Sequence, residues 1–132
     1  MNKHQSMFLQ LKELQKNSVA TFSNYKVAAI IETDAGEFKG VNVEPSVMNL
    51  GVCAERNALF SALTFGSKVL KNVYLLTDSV GSFGSPCGAC RQLLLDYANE
   101  DTNIIMFNLD GEYQEVKLYD LVPMMWTKSE LN

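Results

Sequence analysis

The sequence predicts an α/β fold: a three-layer α/β/α sandwich in which helices cover both faces of a five-stranded mixed sheet. Three observations lead there. Short apolar runs of strand character alternate with segments whose apolar residues recur at helical spacing. The order of elements reads αββαβαββ, which joins two hairpins through helix-linked connections. The runs at residues 25–32 (YKVAAIIE) and 72–78 (NVYLLTD) are apolar nearly throughout, as strands covered on both faces are.

Each element follows from its residues. Met7, Phe8, Leu11 and Leu14 recur at helical spacing and predict a first helix over about residues 5–20. The strand at 25–32 is followed by a turn at 33–36 (TDAG) and a returning strand at 37–43 (EFKGVNV), a hairpin. Residues 44–52 form a loop, and 53–65 (CAERNALFSALTF) a helix stopped by Gly66. The strand at 72–78 leads into a Gly- and Ser-rich loop at 79–85. Pro86 then opens a helix to about residue 98, because the first helical position needs no N–H. A strand at 103–108, a turn at 109–111 and a weaker strand at 112–116 follow, with a short helical turn at 118–121 before Pro123.

Length and composition narrow the function. The chain of 132 residues is the size of one domain and can bury roughly two-thirds of its unfolded surface. With 47% apolar and 20% charged residues it is neither disordered, collagenous nor coiled coil. A net charge of −4 without a basic block argues against a nucleic-acid polymer as partner. No apolar stretch is long enough to cross a bilayer, and residues 1–10 lack the pattern of a secretion signal, so a cytoplasmic protein is expected. Three cysteines are too few and too odd in number for a disulfide framework, and point instead to metal or redox chemistry.

Two segments carry chemistry: Cys53-Ala54-Glu55-Arg56 and Pro86-Cys87-Gly88-Ala89-Cys90-Arg91-Gln92. Cys87 and Cys90, three apart at a helix start, share a face. Cys53 begins the other helix, and the positive end of each helix favours thiolate over thiol. Three thiolates on one tetrahedral metal leave a position open, which is the pattern of catalytic rather than structural zinc. Glu55 can meet Cys53 only at the helix entrance. There a carboxylate can take a proton from a metal-activated water and pass it on.

These residues resemble the small, three-cysteine branch of the cytidine deaminases, within the zinc-dependent nucleoside and nucleobase deaminase superfamily. The signature of Cys, x, Glu and then Pro-Cys-x-x-Cys reads here C-A-E and P-C-G-A-C. The resemblance extends over about residues 23–123. It implies one Zn²⁺ per subunit on Cys53, Cys87 and Cys90, Glu55 as the proton shuttle, and hydrolytic deamination of cytidine and deoxycytidine. Asn42-Val43-Glu44 matches an Asn-x-Glu pattern whose side chains hold the ribose hydroxyls. Tyr25 matches an aromatic ring near the base, the resemblance implies that the backbone near Ala54 and Ser85 contacts the base, and Trp126 matches an aromatic that packs at a neighbouring subunit's site in a homotetramer. Three thiolates on Zn²⁺ leave a net charge of about −1. The resemblance assigns the compensating role to Arg56, and on physical grounds Arg91 is equally able to fill it.

The sequence departs from the family at Pro45-Ser46-Val47-Met48, where Asn-Ala-Ser/Ala-Tyr is usual, and at Ala28, where Gly is common. These changes fall on the substrate loop and subunit contacts and leave the metal chemistry alone. The rival readings are therefore a deaminase of another cytosine nucleoside such as blasticidin S, and a non-catalytic zinc or thiol protein. Deamination of a polynucleotide is disfavoured, because single strands need a basic, aromatic-lined groove. Leu93, Leu94 and Leu95 span most of a helix circumference, so an oligomer is expected to cover part of them. His4, the only histidine, is assigned no role.

Overall fold

Strand β1 (Ala28–Thr33) sends Ala28 and Ile30 to one face of the sheet and Ala29 and Ile31 to the other, and all four are fully buried. Strand β3 (Leu70–Leu76) divides in the same way, Tyr74 and Leu76 against Val73 and Leu75. Strand β4 (Asn103–Phe107) splits Ile105 and Phe107 from Ile104 and Met106. Two cores result, one on each face, and the period of two along a strand is the cause. Helix α1 (Lys3–Gln15) closes the first core with Met7 and Leu11. Helices α2 (Ala54–Thr64) and α3 (Gly88–Leu95) close the second with Ala58, Leu59, Ala62, Leu94 and Leu95.

This computed structural model describes residues 1–131. Among the described residues, β2 (Gly36–Val41) and β5 (Tyr113–Lys117) complete a five-stranded sheet in the order β2-β1-β3-β4-β5. Only β3 and β4 pair in parallel, and the remaining pairs are antiparallel. The predicted three-layer sandwich on a mixed sheet is the architecture found. No described helix is long and apolar enough to cross a membrane.

The predicted boundaries fail where side chains or tertiary pairing take over backbone hydrogen bonds. Helix α1 starts at Lys3 because Asn2 and Gln5 form a capping box, each side chain accepting from the other's N–H. It stops at Gln15, well short of residue 20, because Val19 pairs with Val43: its N–H donates to the Asn42 carbonyl and its carbonyl accepts from Glu44 N–H. Residues 25–27 are not strand. The Lys26 N–H donates to Asp78 Oδ2 and the Val27 N–H to Asn42 Oδ1 (2.7 and 2.9 Å), so these amides have side-chain partners rather than a ladder. Helix α3 loses its predicted last turn, residues 96–98, to tighter bonds reaching back three residues.

The three leucines of α3 need no second subunit. Leu94 and Leu95 are buried, and Leu93 packs half-buried against the same core as Leu118, Leu121, Val122 and Met125 of the C-terminal segment. That segment lies along α3, held by Arg91 Nη1 on the Leu121 carbonyl and by Gln92 Nε2 on the Trp126 carbonyl.

Helix α2 sits directly on β2 at Gly40. A Cβ there would fall 2.5 Å from the Ala58 nitrogen and 2.6 Å from the Ala54 oxygen. Only glycine permits this approach, which sets where α2 begins. Gly40→Ala is expected to destabilise the fold by at least ~2 kcal/mol, because rigid backbone rather than a flexible side chain must yield. Urea unfolding measures it, and a wild-type midpoint would show that α2 does not depend on this contact.

Candidate metal centre and active site

Cys53 and Cys87 occupy the cap positions immediately before α2 and α3, both with extended backbone (φ −74°, ψ 154° and φ −64°, ψ 164°). Neither thiol caps its own helix. Cys90 lies within the first turn of α3 and is fully buried, Cys53 is half-buried, and Cys87 is exposed. The three sulfur atoms lie within 4.8 Å of one another. Two helix N-termini thus aim their partial positive charge at one cluster of thiols.

The electrostatics of the cluster already favour an anion. Cys53 is pushed down to about 5, first by the hydrogen bond from the Cys90 thiol, then by Arg56 and Cys87, against the opposing effect of burial. Cys90 is pushed up, because its thiol is a donor to Cys53 and is buried. The guanidinium of Arg56 donates through Nη2 to Cys53 Sγ at 3.5 Å. Among the described residues its buried Nε has no hydrogen-bond partner. Convergent soft thiolates beside an open cleft suit a divalent zinc ion with three protein ligands.

Glu55 is the second residue of α2 and only 4% exposed. Burial, reinforced by the charge on Cys53, raises its carboxyl to about 7 in spite of backbone hydrogen bonding and Arg56. It faces a cleft of about 250 Å³ that Cys53 and Cys87 also line. Such a group can both hold and release a proton near neutral pH.

The residues assigned to substrate reach the same cleft in five cases of six. Tyr25, Asn42, Glu44, Ala54 and Ser85 all line it. Tyr25 is 39% exposed and is no core aromatic; its hydroxyl meets Ser79 Oγ at 2.9 Å. Asn42 is held at both ends of its amide: Oδ1 accepts from Val27 N–H and the Ser18 hydroxyl, and Nδ2 donates to the Tyr25 carbonyl. Glu44 Oε1 accepts from the backbone N–H groups of Phe22 and Ser23, and Oε2 from the Ser23 hydroxyl. The Ser23 hydroxyl, more than any other neighbour, holds the Glu44 carboxyl below the usual carboxylate range. Trp126 lies outside this cleft, 46% exposed on the C-terminal segment.

Arg91 does not serve the thiols. Its donors go to the carbonyls of Pro86 and Leu121 and to Ser85 Oγ, at 2.8 to 3.0 Å, so it braces the turn into α3 against the C-terminal segment. Of the two arginines weighed from sequence, only Arg56 touches sulfur, because it lies three residues after Cys53 and one helical turn brings the two together.

Ser23, Val27, Leu75 and Thr77 also line the cleft, and the sequence analysis missed them. A signal existed for Thr77, which follows β3 at the carboxyl end of the parallel pair, where sites of α/β sheets collect. Ser23 carried none, since its place depends on Glu44 from a distant loop. A second cavity of about 500 Å³ adjoins the first across Asn42, Glu44 and Cys53, and the departing loop lines it with Pro45 and Met48.

Known proteins match this arrangement. Residues 1–106 fit the family described as "Cytidine and deoxycytidylate deaminase zinc-binding region". The chain is 33% identical to a cytidine deaminase of Mycoplasma genitalium over 120 residues, 91% of this chain and 92% of that protein. It is 29% identical over 115 residues to a blasticidin-S deaminase of Bacillus cereus, 81% of each chain. The crystal structure of cytidine deaminase from Burkholderia pseudomallei superposes with a TM-score of 0.85 at 31% identity, covering 96% of this chain and 100% of that one. The chain belongs to the cytidine and deoxycytidylate deaminase zinc-binding family.

Proposed function

We propose that this protein hydrolyses the exocyclic amine of cytidine and deoxycytidine, giving uridine, deoxyuridine and ammonia. The observation that carries the reading is Glu55: a buried carboxyl held near neutrality, facing a small cleft beside three convergent thiols. Cys53, Cys87 and Cys90 would hold one Zn²⁺ per subunit, which when bound makes a water molecule acidic enough to act as nucleophile at neutral pH.

The chain's own residues do the rest. The Glu55 carboxylate accepts a proton from water and delivers it to ring N3, which makes C4 electrophilic. The hydroxide left from that water adds to C4. The Glu55 carboxylate then takes the proton of the added hydroxyl and passes it to the amino nitrogen, so that the C4–N bond breaks, ammonia leaves and the C4 carbonyl forms. Arg56 draws electron density from Cys53 Sγ and so limits the charge that three thiolates accumulate. Ala54 and Ser85 bound the base, Tyr25 offers it an aromatic face, and Asn42 and Glu44 take the ribose hydroxyls. The internal hydrogen bonds of Asn42 and Glu44 support this last assignment, because they hold both side chains in place before substrate arrives.

Trp126 belongs to a neighbouring subunit's site in a homotetramer on this reading. Its exposure away from its own cleft supports that, as do the exposed Phe22 and Met48 that line the larger cavity. The corresponding biological role is pyrimidine salvage in the cytoplasm. A second reading, deamination of blasticidin S, is favoured by the loop bearing Pro45 and Met48 on that cavity and by the similarity to the Bacillus cereus enzyme.

Three measurements test these assignments. Near-ultraviolet absorbance should show loss of the cytosine band with cytidine and deoxycytidine and none with blasticidin S. Turnover of the antibiotic alone would select the second reading, and no turnover by zinc-loaded protein would leave a non-catalytic zinc protein. Glu55→Gln should keep stoichiometric zinc by metal analysis while losing at least ~10³ in kcat; near-normal turnover would remove Glu55 from the mechanism. Cys87→Ala should lose both metal and activity, and full zinc content in that variant would overturn the ligand assignment.

A further inference from the structure

The cleft has two walls from separate parts of the chain. One is the segment before β1 that carries Ser23, Tyr25 and Val27, and the other follows β3 with Thr77 and Ser85. Neither wall is regular secondary structure at these positions. The β1–β3 ladder joins the walls as far as Ala28 and Leu76, and the Lys26 N–H on Asp78 Oδ2 adds one tie; beyond that, at Tyr25, only side chains set their separation.

We infer that Ser79, which does not itself line the cleft, is a positioning residue: its hydroxyl straps Tyr25 to Thr77 and sets the width of the slot that the cytosine ring enters. The inference rests on the deaminase reading above. The Thr77 hydroxyl donates to Ser79 Oγ at 2.9 Å, and Ser79 Oγ meets the Tyr25 hydroxyl at 2.9 Å. Since Ser79 accepts from Thr77, its own proton is free for the tyrosine oxygen.

Both ends of the strap are anchored. Thr77 is buried, and a Cβ on Gly84 would fall 2.2 Å from its Oγ1, so the loop closes tightly over it. The Ser79 carbonyl accepts from Leu109 N–H. On the other side, the Tyr25 N–H donates to Ser23 Oγ at 3.1 Å, and the Ser23 hydroxyl donates to Glu44. Polar contacts thus run around the cleft from Thr77 through Ser79, Tyr25 and Ser23 to Glu44. Without its hydroxyl contact the ring of Tyr25, which is substantially exposed on an unpaired segment, would be free to change rotamer.

The strap is separate from the reacting groups. Glu55 and the three thiols are carried by α2 and α3, and none of them bonds to Tyr25, Ser79 or Thr77. Its loss should therefore weaken substrate capture and leave the chemical step alone.

Steady-state kinetics on cytidine with Ser79→Ala, Tyr25→Phe, the double variant and Ser79→Thr test this. Ser79→Ala and Tyr25→Phe should each raise KM about three- to tenfold, the scale of one hydrogen bond, with kcat within about twofold. The double variant should be no worse than either single one, because both remove the same contact. Ser79→Thr, which keeps the hydroxyl, should restore KM. A wild-type KM in both single variants, additive losses, or a fall in kcat at unchanged KM overturns the strap. A wild-type protein that neither binds nor converts cytidine overturns the deaminase reading, and this inference with it.

Discussion

Three thiols can share one point only because α2 and α3 begin at the same end of the sheet's strands, beyond the register of Val41, Ala28 and Leu76. Cys53 and Cys87 are the residues just before the two helices, so their sulfur positions are set by where each helix starts. The close seat of α2 on Gly40 of β2 places one start. The bracing of Arg91 on Pro86, Ser85 and Leu121 places the other. Everything chemical in the protein depends on these two starts coinciding.

That convergence has an electrostatic cost, since sulfur anions repel and a buried carboxyl stands beside them. The hydrogen bond from the Cys90 thiol and then Arg56 offset it at Cys53, which is pushed down while its donor Cys90 is pushed up. Glu55 responds in the opposite direction from an ordinary surface acid. It is buried next to negative charge, so its neutral form is favoured until the pH nears 7. The same placement that would penalise a structural carboxylate suits a group that must bind and release a proton.

Rigidity is distributed unevenly around the cleft. The three cysteines and Glu55 stand at the starts of helices packed against a buried sheet, whereas the other walls of the cleft are loops tied by side-chain hydrogen bonds. Asn42 shows the device most clearly: one amide, just after β2, joins Ser18, the stretch of Tyr25 and Val27, and Glu44. Such ties hold a loop without a ladder, and leave it free to vary in sequence between related enzymes.

The fold class, the element order and the metal-binding motif were legible in the sequence, because each depends on local spacing. Short continuous apolar runs identify β1, β3 and β4, and the C-A-E and P-C-G-A-C segments state their chemistry by residue type alone. What tertiary contact decided was not legible. The end of α1 was set by Val19 pairing with Val43, the start of β1 by amides given to Asp78 and Asn42, and the choice between Arg56 and Arg91 by which guanidinium had carbonyls to brace. The packing of Leu93 within one chain depended on the later segment that carries Leu118, Leu121, Val122 and Met125. Local pattern determines which residues can form an element or bind a metal; the partners that fold around them determine where each element stops and which polar group is left for chemistry.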